Sequence, residues 1–470
     1  MKLSEELVFR GFQAETTIKD VTALDTRENK QFYWGADPSA DSLTIGNLAA
    51  LLMCACFVKH GYKPYLLVGG ATGQIGDPKE NGERELKPLE EVERNKLAIK
   101  AQIERVMANY LELCSGEDEA KSSRAGIVRA GFSEDAHLGE YAKVRGAAQA
   151  EHLTENPPRA QKPSENSLPS SLNCTGITLV DNLDWFKDIK YLDFLREIGK
   201  AFSMTQLLDR KFIQNRIGDG GSGISYAEFS YTLIQGYDFL HLYREHGVAL
   251  QLCGADQFGN CSTGIHLIKR LENADADAWS TPLVIDPVSG RKFGKSEGNA
   301  VWLAAEGSNS TTVFDFYQFW LNQPDTSVEY LMKFYTVYSE DEIKQILSEH
   351  EKSPEKRLAQ KALAKSVTEI VHGRETAAHA INASEKLFDK SYTPTPEDAE
   401  NFAGVFPEHS KGPALDVLAE SGLATSKSDA RKLIKAGAIS MNGQKIADEA
   451  AEITTAGILK KGKNKFIIIK

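Results

Sequence analysis

The chain has 470 residues, of which 41% are apolar and 26% charged, and its formal net charge is −11 at pH 7. That length leaves room for two or three domains, and the balance is ordinary for a globular protein. The acidic charge argues against a generally adhesive nucleic-acid binder, and no apolar run approaches the roughly 20 residues that cross a bilayer, so no membrane association is expected.

The opening Met1-Lys2-Leu3-Ser4-Glu5-Glu6-Leu7 has neither a secretion-signal layout nor the Arg- and Ser-rich character of a transit peptide. A cytoplasmic location is therefore expected. Gln31-Phe32-Tyr33-Trp34 reads as a strand ending in Gly35-Ala36-Asp37-Pro38, and 43–59 as a helix stopped by Gly61. Tyr65-Leu66-Leu67-Val68 is a buried strand that runs into Gly69-Gly70-Ala71-Thr72-Gly73. Ile177-Thr178-Leu179-Val180 and Val248-Ala249-Leu250-Gln251-Leu252 read as further strands. Strands alternating with helices predict an α/β fold: a Rossmann-like parallel sheet with ligands at the carboxyl ends of its strands. The Glu-, Ser-, Ala- and Pro-rich stretch 116–171 reads as a surface insertion.

From 328 to 382 the chain is charged and helical, with Leu363, Val367, Ile370 and Val371 at helical spacing. A Pro-containing linker follows at 391–396. The last 60 residues carry 11 Lys and Arg against 6 Asp and Glu, a basic module on an acidic body. Within it Ser428 is expected to cap a helix bearing Arg431, Lys432 and Lys435, close to Lys427, and Asn442-Gly443 signals a hairpin. The six cysteines form no C-x-x-C pair and mostly sit in apolar runs, so reduced buried thiols are expected and no metal site.

Two segments carry chemistry. Arg291-Lys292-Phe293-Gly294-Lys295-Ser296 places two lysines, a glycine and a hydroxyl in one loop, which can bring cations onto a phosphate chain. Alone it is more simply a solvated turn. Thr44-Ile45-Gly46-Asn47 opens an apolar helix whose free N–H groups and positive dipole end suit an anion, and Gly46 leaves room for an adenine or ribose. Alone it is more simply a packed helix start. Tyr231, Gln235 and Asp238 stand at i, i+4 and i+7, on one helix face.

Together these resemble the paired nucleotide signatures of class I aminoacyl-tRNA synthetases, written HIGH and KMSKS. The set of segments 33–41, 67–78, 225–239, 251–260 and 292–298, in this order, resembles tyrosyl-tRNA synthetases of the bacterial or organellar type. That resemblance implies tyrosine activation by ATP to tyrosyl-adenylate and pyrophosphate, then transfer of tyrosyl to the 3′ end of tRNA(Tyr). It implies a catalytic domain over 1–326, a helical anticodon-binding domain over 327–392 and a small α+β S4-like RNA-binding domain over 411–470. A homodimer and Mg²⁺ accompanying ATP follow from the same resemblance.

Residue by residue, it assigns Tyr33 and Asp238 to the substrate phenol, and Tyr231, Gln235 and Asp77 to its ammonium group. Gln257 falls near the carboxylate, Gly254 and Asp256 at the ribose, and Gly35, Asp37 and Ser39 near substrate and phosphates. Thr44, Asn47, Lys292, Lys295 and Ser296 are expected to act on the developing phosphate charge, with Gly46 at the nucleotide and Lys79 and Arg84 assisting from the loop after Asp77-Pro78. Thr44 and Asn47 replace both histidines of HIGH, which shifts load to the lysines. Lys427, Arg431, Lys432 and Lys435 are the expected RNA contacts.

The competing readings are weaker. A tryptophanyl-tRNA synthetase shares the Thr44-Ile45-Gly46-Asn47 pattern, but Tyr231, Asp238 and the basic tail argue against it. An RNA-binding protein with an inactive body is opposed by Lys292, Lys295, Asp256 and Gln257. A nicotinamide dehydrogenase is opposed by the spacing in Gly69-Gly70-Ala71-Thr72-Gly73-Gln74-Ile75-Gly76, which is not the dinucleotide fingerprint.

Overall fold

The computed structural model describes residues 1–78, 85–127, 176–202, 208, 211–218, 220–285, 290, 293, 295–296, 299–389, 391–462 and 465–470. Two compact units result, Met1–Cys114 with Thr178–Lys470, and Ser115–Ile177. Of the second unit only backbone to residue 127, where the helix Leu89–Ile127 ends, and residues 176–177 are described. The rest of the expected insertion lies outside the described residues.

The first unit is built on a five-stranded sheet of β1 (Gln31–Ala36), β2 (Lys63–Val68), β3 (Thr178–Val180), β4 (Leu250–Gly254) and β5 (Asp277–Thr281). Their order is β3-β2-β1-β4-β5, and every pairing is parallel. Phe32, Tyr33 and Trp34 are all buried, so β1 is covered on both faces and reads as a continuous apolar run. The strand order reverses between β1 and β4, which opens a crevice at their carboxyl ends.

The Ile45–Lys59 helix links β1 to β2, and its side chains from Leu48 to Phe57 are buried on all sides. The Tyr226–His246 helix leads into β4, and the Phe258–Glu272 helix joins β4 to β5. The fifth strand was not expected from sequence, because Asp277-Ala278-Trp279-Ser280-Thr281 is half polar. Ser280 is satisfied by the N-terminal segment: Glu15 N donates to Ser280 Oγ at 2.8 Å, and Ser280 N donates to Glu15 O at 2.9 Å.

Helices follow at Val313–Leu321, Asp325–Tyr335, Glu340–Lys352, Leu358–His372 and Arg374–Phe388. The helical region thus begins earlier than residue 328, and positions 326 and 327 lie inside a helix. Thr312 caps the first of these helices, accepting from Asp315 N at 3.1 Å. Phe293 packs on Phe319, Trp320 and Tyr335 of these helices.

The C-terminal portion is a small mixed sheet, with strands Glu408–His409, Ile439–Met441, Gln444–Lys445, Gly457–Lys461 and Lys465–Ile469. The helices Ala414–Glu420 and Lys427–Lys435 cover it through Val417, Leu418, Ala430 and Ile434. Asn442 and Gly443 both take positive φ, at 47° and 79°, as a two-residue hairpin of type I′ needs. The helix cap is Ser426, not Ser428: Ser426 Oγ accepts from Asp429 N at 3.2 Å, and Ser428 sits within the first turn.

A buried ion cluster holds the N-terminal helix, Leu3–Arg10, to the body. Glu6 accepts from Arg10 Nε at 2.8 Å and from Lys59 Nζ at 2.9 Å, and lies 2.8 Å from His60 Nε2. Arg10 in turn donates to the carbonyls of Lys333, Thr336 and Tyr338 at 3.1, 2.7 and 3.2 Å. Burial alone would raise the Glu6 pKa, but His60, Arg10 and Lys59 together hold it far below the usual value of 4.5. A carboxylate with a depressed folded pKa stabilises the fold above its unfolded value and ceases to do so as pH falls. Glu6→Gln is expected to lower stability by about 3 kcal/mol at pH 7, because it leaves buried cations unpaired. Denaturant titrations should show the gap between the two proteins shrinking as pH falls below about 4.5. A gap independent of pH would mean that Glu6 acts through packing.

Candidate active site

The crevice is lined from four directions. Tyr33, on β1, is 2% exposed, and its ring lies against Gly35, where a Cβ would sit 3.3 Å from the Tyr33 Cε2. From the Tyr226–His246 helix come Tyr231, Gln235 and Asp238, as their spacing predicts. The β2 end supplies Thr72 and Asp77, and the turn after β3 supplies Asn182 and Trp185.

Asp238 is 1% exposed and accepts from Asn182 Nδ2 at 3.1 Å and from Trp185 Nε1 at 3.0 Å. Burial pushes its pKa well above the usual carboxylate range; the two hydrogen bonds oppose that rise, and the negative charges of Asp37 and Asp181 add to it. Burial followed by the field of Asp238 likewise keeps the Tyr33 phenol protonated far above its ordinary range. Tyr231 donates from its hydroxyl to Asp37 Oδ2 at 2.7 Å, and Thr72 Oγ1 donates to Asp37 Oδ1 at 2.6 Å. Asn182 also donates to Thr72 Oγ1 at 3.1 Å, so one network joins Tyr231, Asp37, Thr72, Asn182 and Asp238.

A second network runs beside it. Gln257 Nε2 donates to Asp77 Oδ2 at 2.9 Å, Asn260 Nδ2 to Gln257 Oε1 at 3.0 Å, and Thr232 Oγ1 to Asn260 Oδ1 at 3.0 Å. Gln235 Oε1 is buried and has no hydrogen-bond partner among the described residues. A buried acceptor without a donor is a cost that a bound ammonium group removes.

Residues 301–303 meet the turn that opens the Ile45–Lys59 helix. Ile45 N donates to Val301 O at 3.1 Å and Leu303 N to Leu43 O at 2.9 Å, with Thr44 bridged to Trp302. Residues 301–303, just after the Asn299–Ala300 strand, are thereby stitched to the turn that opens the Ile45–Lys59 helix. Lys295–Ser296 pairs antiparallel with Asn299–Ala300. The Lys295 and Ser296 side chains, like Lys79, Arg84 and Lys292 as a whole, lie outside the described residues. Asn47 Oδ1 accepts from both Thr44 N and Thr44 Oγ1, at 3.0 and 2.9 Å, so these two positions brace each other. This bracing uses the Asn47 carbonyl oxygen and does not engage its Nδ2 hydrogens. Gly46, Asn47, Ser39 and Asp256 are exposed, and Gly254 lets Asp256 approach: a Cβ there would stand 2.7 Å from Asp256 Oδ1.

The sequence reading missed Asn182, Trp185, Thr72 and Asn260, and the faint signal for the first two was a polar turn directly after a buried strand. Tyr237 packs on Phe186, Phe194 and His241, an ordinary aromatic cluster. Glu6, Cys56 and His60 bring possible metal-ligand atoms within 4.8 Å of one another. Glu6 is already paired with Arg10 and Lys59, which opposes a further cation there.

Residues 25–389 match the family model of class I tRNA synthetases for W and Y, and residues 400–470 match the tyrosine–tRNA ligase SYY-like C-terminal domain. The tyrosine–tRNA ligase of Streptococcus gordonii is 33% identical, with all of both chains covered. The chain belongs to the class I tyrosyl-tRNA synthetase family. The tyrosine–tRNA ligase of Geobacillus kaustophilus is 35% identical, again over the whole of both chains. Among solved structures, a C-terminally truncated mitochondrial tyrosyl-tRNA synthetase from Coccidioides posadasii is similar, with a TM-score of 0.60 and 25% identity over 81% of this chain and 91% of its own. Membership explains why polar groups converge at the carboxyl ends of β1, β2 and β4. An α/β body, a helical region and a small mixed-sheet portion follow one another along this chain, and the two family matches meet between the last two.

Proposed function

We propose that this chain is a tyrosine–tRNA ligase that activates L-tyrosine with ATP and transfers it to tRNA(Tyr), with the site residues in the roles their positions suggest. The observation that carries this is Asp238, a buried carboxylate fixed by Asn182 and Trp185 beside the Tyr33 phenol, on the helix face that also offers the unpartnered Gln235 Oε1. Tyr33 and Asp238 meet the substrate phenol, and phenylalanine would leave them unpaired. Tyr231, Gln235 and Asp77 receive the ammonium group, and Gln257 sits near the carboxylate. That carboxylate attacks the α-phosphate of ATP in line, and pyrophosphate leaves. Asp256 and Gly254 hold the ribose, while Thr44, Asn47, Lys292, Lys295 and Ser296 neutralise the charge that develops on phosphate. Gly35, Asp37, Ser39, Gly46, Lys79 and Arg84 shape the rest of the nucleotide site. Mg²⁺ arrives with the ATP phosphates as part of the substrate. The tRNA terminal ribose hydroxyl then attacks the tyrosyl carbonyl of the adenylate, forming the ester as the mixed-anhydride bond breaks and AMP leaves, with no enzyme-bound ester in between.

In the same reading, 1–326 is the catalytic domain, 327–392 binds the anticodon, 411–470 is an S4-like RNA-binding module, and the protein works in the cytoplasm. Lys427, Arg431, Lys432 and Lys435 are exposed on one helix, and the first, second and fourth are tethered to Asp416 or Glu449. Replacing Arg431 and Lys435 by alanine is expected to lower tRNA charging about tenfold at physiological salt, with pyrophosphate exchange unchanged. Equal loss in both assays would remove this helix from the tRNA interface. A homodimer is part of the proposal. Tyr191, Leu192 and Tyr226 are 60%, 74% and 62% exposed, and the two tyrosine hydroxyls lie 3.2 Å apart, an apolar face suited to a second copy. Light scattering should give twice the chain mass; the single-chain mass would refute it.

A further inference from the structure

The helix Leu89–Ile127 turns three buried polar side chains onto the loops that carry the site. Asn95 Nδ2 donates to Pro38 O at 3.2 Å, and Gln102 Oε1 accepts from Leu43 N at 2.9 Å. Between them Lys96, 6% exposed, places its ammonium 2.6 Å from Asp181 Oδ2, and Asp181 is equally buried. Glu93 also pairs with Lys96. Neither Lys96 nor Asp181 belongs to any motif singled out in the sequence.

Asp181 does more than neutralise a lysine. Its Oδ1 accepts from Gly70 N at 3.0 Å and from Leu183 N at 2.9 Å. A Cβ on Gly70 would lie 2.2 Å from that oxygen, so the glycine is what lets the carboxylate reach the backbone. The next residue, Asn182, accepts from Ala71 N at 2.7 Å and donates to Thr72 Oγ1 and Asp238 Oδ2. Both of its amide hydrogens are donated and its carbonyl oxygen accepts, and each bond fixes either the turn after β2 or the carboxylate proposed to read the phenol. Among the described ion pairs, Lys96 with Asp181 is the one that reaches this network. It places a positive charge close to a group of carboxylates that includes Asp37, Asp181 and Asp238.

We infer that Lys96 is a specificity-positioning residue: through Asp181 it locks the Gly70–Ala71 and Asp181–Asn182 turns together, and so holds Asn182 on Asp238 in the geometry that selects tyrosine over phenylalanine. The inference rests on the proposed tyrosine pocket. Without Lys96, Asp181 is a buried carboxylate lacking its cation, and it recovers neutrality by taking a proton or by moving toward water. Either change loosens the turn that carries Asn182, while the ATP side of the crevice, held by Val301 and Leu303, keeps its own bonds.

The test is pyrophosphate exchange with Lys96→Met, Asp181→Asn, the double variant and Asp238→Asn, each against tyrosine, phenylalanine and ATP. Lys96→Met is expected to raise the tyrosine KM by about tenfold or more and to lower the preference for tyrosine over phenylalanine by a similar factor, with the ATP KM unmoved. The double variant, which leaves no buried charge unpaired and keeps an oxygen for Gly70 N and Leu183 N, is expected to recover most of that loss. It is also the protein to read if Lys96→Met fails to fold. In that case a tyrosine preference weaker than in the parent but stronger than in Asp238→Asn supports the inference, and a preference equal to the parent's overturns it. Lys96→Met with unchanged tyrosine KM and unchanged preference overturns it as well, as does a loss shared equally by tyrosine and ATP. If Asp238→Asn itself leaves tyrosine use intact, the pocket assignment fails, and that result is distinct from a failure of Lys96 alone.

Discussion

Asp238→Asn is expected to reduce kcat/KM for tyrosine by about 10³-fold in pyrophosphate exchange, with the value for phenylalanine nearly unchanged. The native carboxylate accepts on both oxygens, from Asn182 and from Trp185. An amide in its place can accept on one side only, so its NH₂ group confronts a second donor. The site then pays twice, in a broken internal bond and in a lost partner for the substrate phenol. Phenylalanine has no phenol and never gained from the second contact. The discrimination should therefore collapse from the tyrosine side. Equal losses for the two amino acids would show that Asp238 supports the fold of the crevice without reading the substrate.

Gly46→Val is expected to raise the ATP KM by about 100-fold or more while leaving thermal stability unchanged or slightly improved. The argument rests on empty space. Gly46 is exposed in the first turn of the Ile45–Lys59 helix, and the nearest atom to a Cβ built there is Thr44 Oγ1, at 3.5 Å. Folding alone therefore does not require glycine, and a side chain would favour the helix by a few tenths of a kcal/mol. A nucleotide lying against this backbone does require it. Calorimetry and exchange kinetics on one preparation separate the two demands. A stable variant with normal ATP dependence would place the nucleotide elsewhere.

Much of this site was legible because helical spacing is a strong signal. Tyr231, Gln235 and Asp238 share a face by arithmetic alone, and the apolar runs of β1 and β2 announce strands buried on both faces. The groups that complete the pocket were not legible. Asn182 and Trp185 come from a short turn, far from Asp238 in sequence, and no periodicity links the two. Lys96 and Asp181 illustrate the same limit, since a lysine early in a charged helix is usually solvated. The fifth strand was hidden because Ser280 looks solvent-facing until Glu15 supplies its partners. The cap of the Lys427–Lys435 helix was placed at Ser428, two positions late, and the bond from Asp429 N to Ser426 Oγ corrects it. The early start of the helical region had a usable signal in Thr312 with Asp315 three residues on, a capping pattern directly ahead of Phe316, Tyr317 and Trp320.

Amino-acid-dependent ATP–pyrophosphate exchange, run with tyrosine, tryptophan and phenylalanine side by side on the purified protein, tests the central claim most directly. Exchange with tyrosine alone is the predicted result, and it would tie the Asp238 pocket and the Thr44–Asn47 turn to one reaction. Exchange driven by tryptophan, or none with any of the three in folded protein, would contradict it.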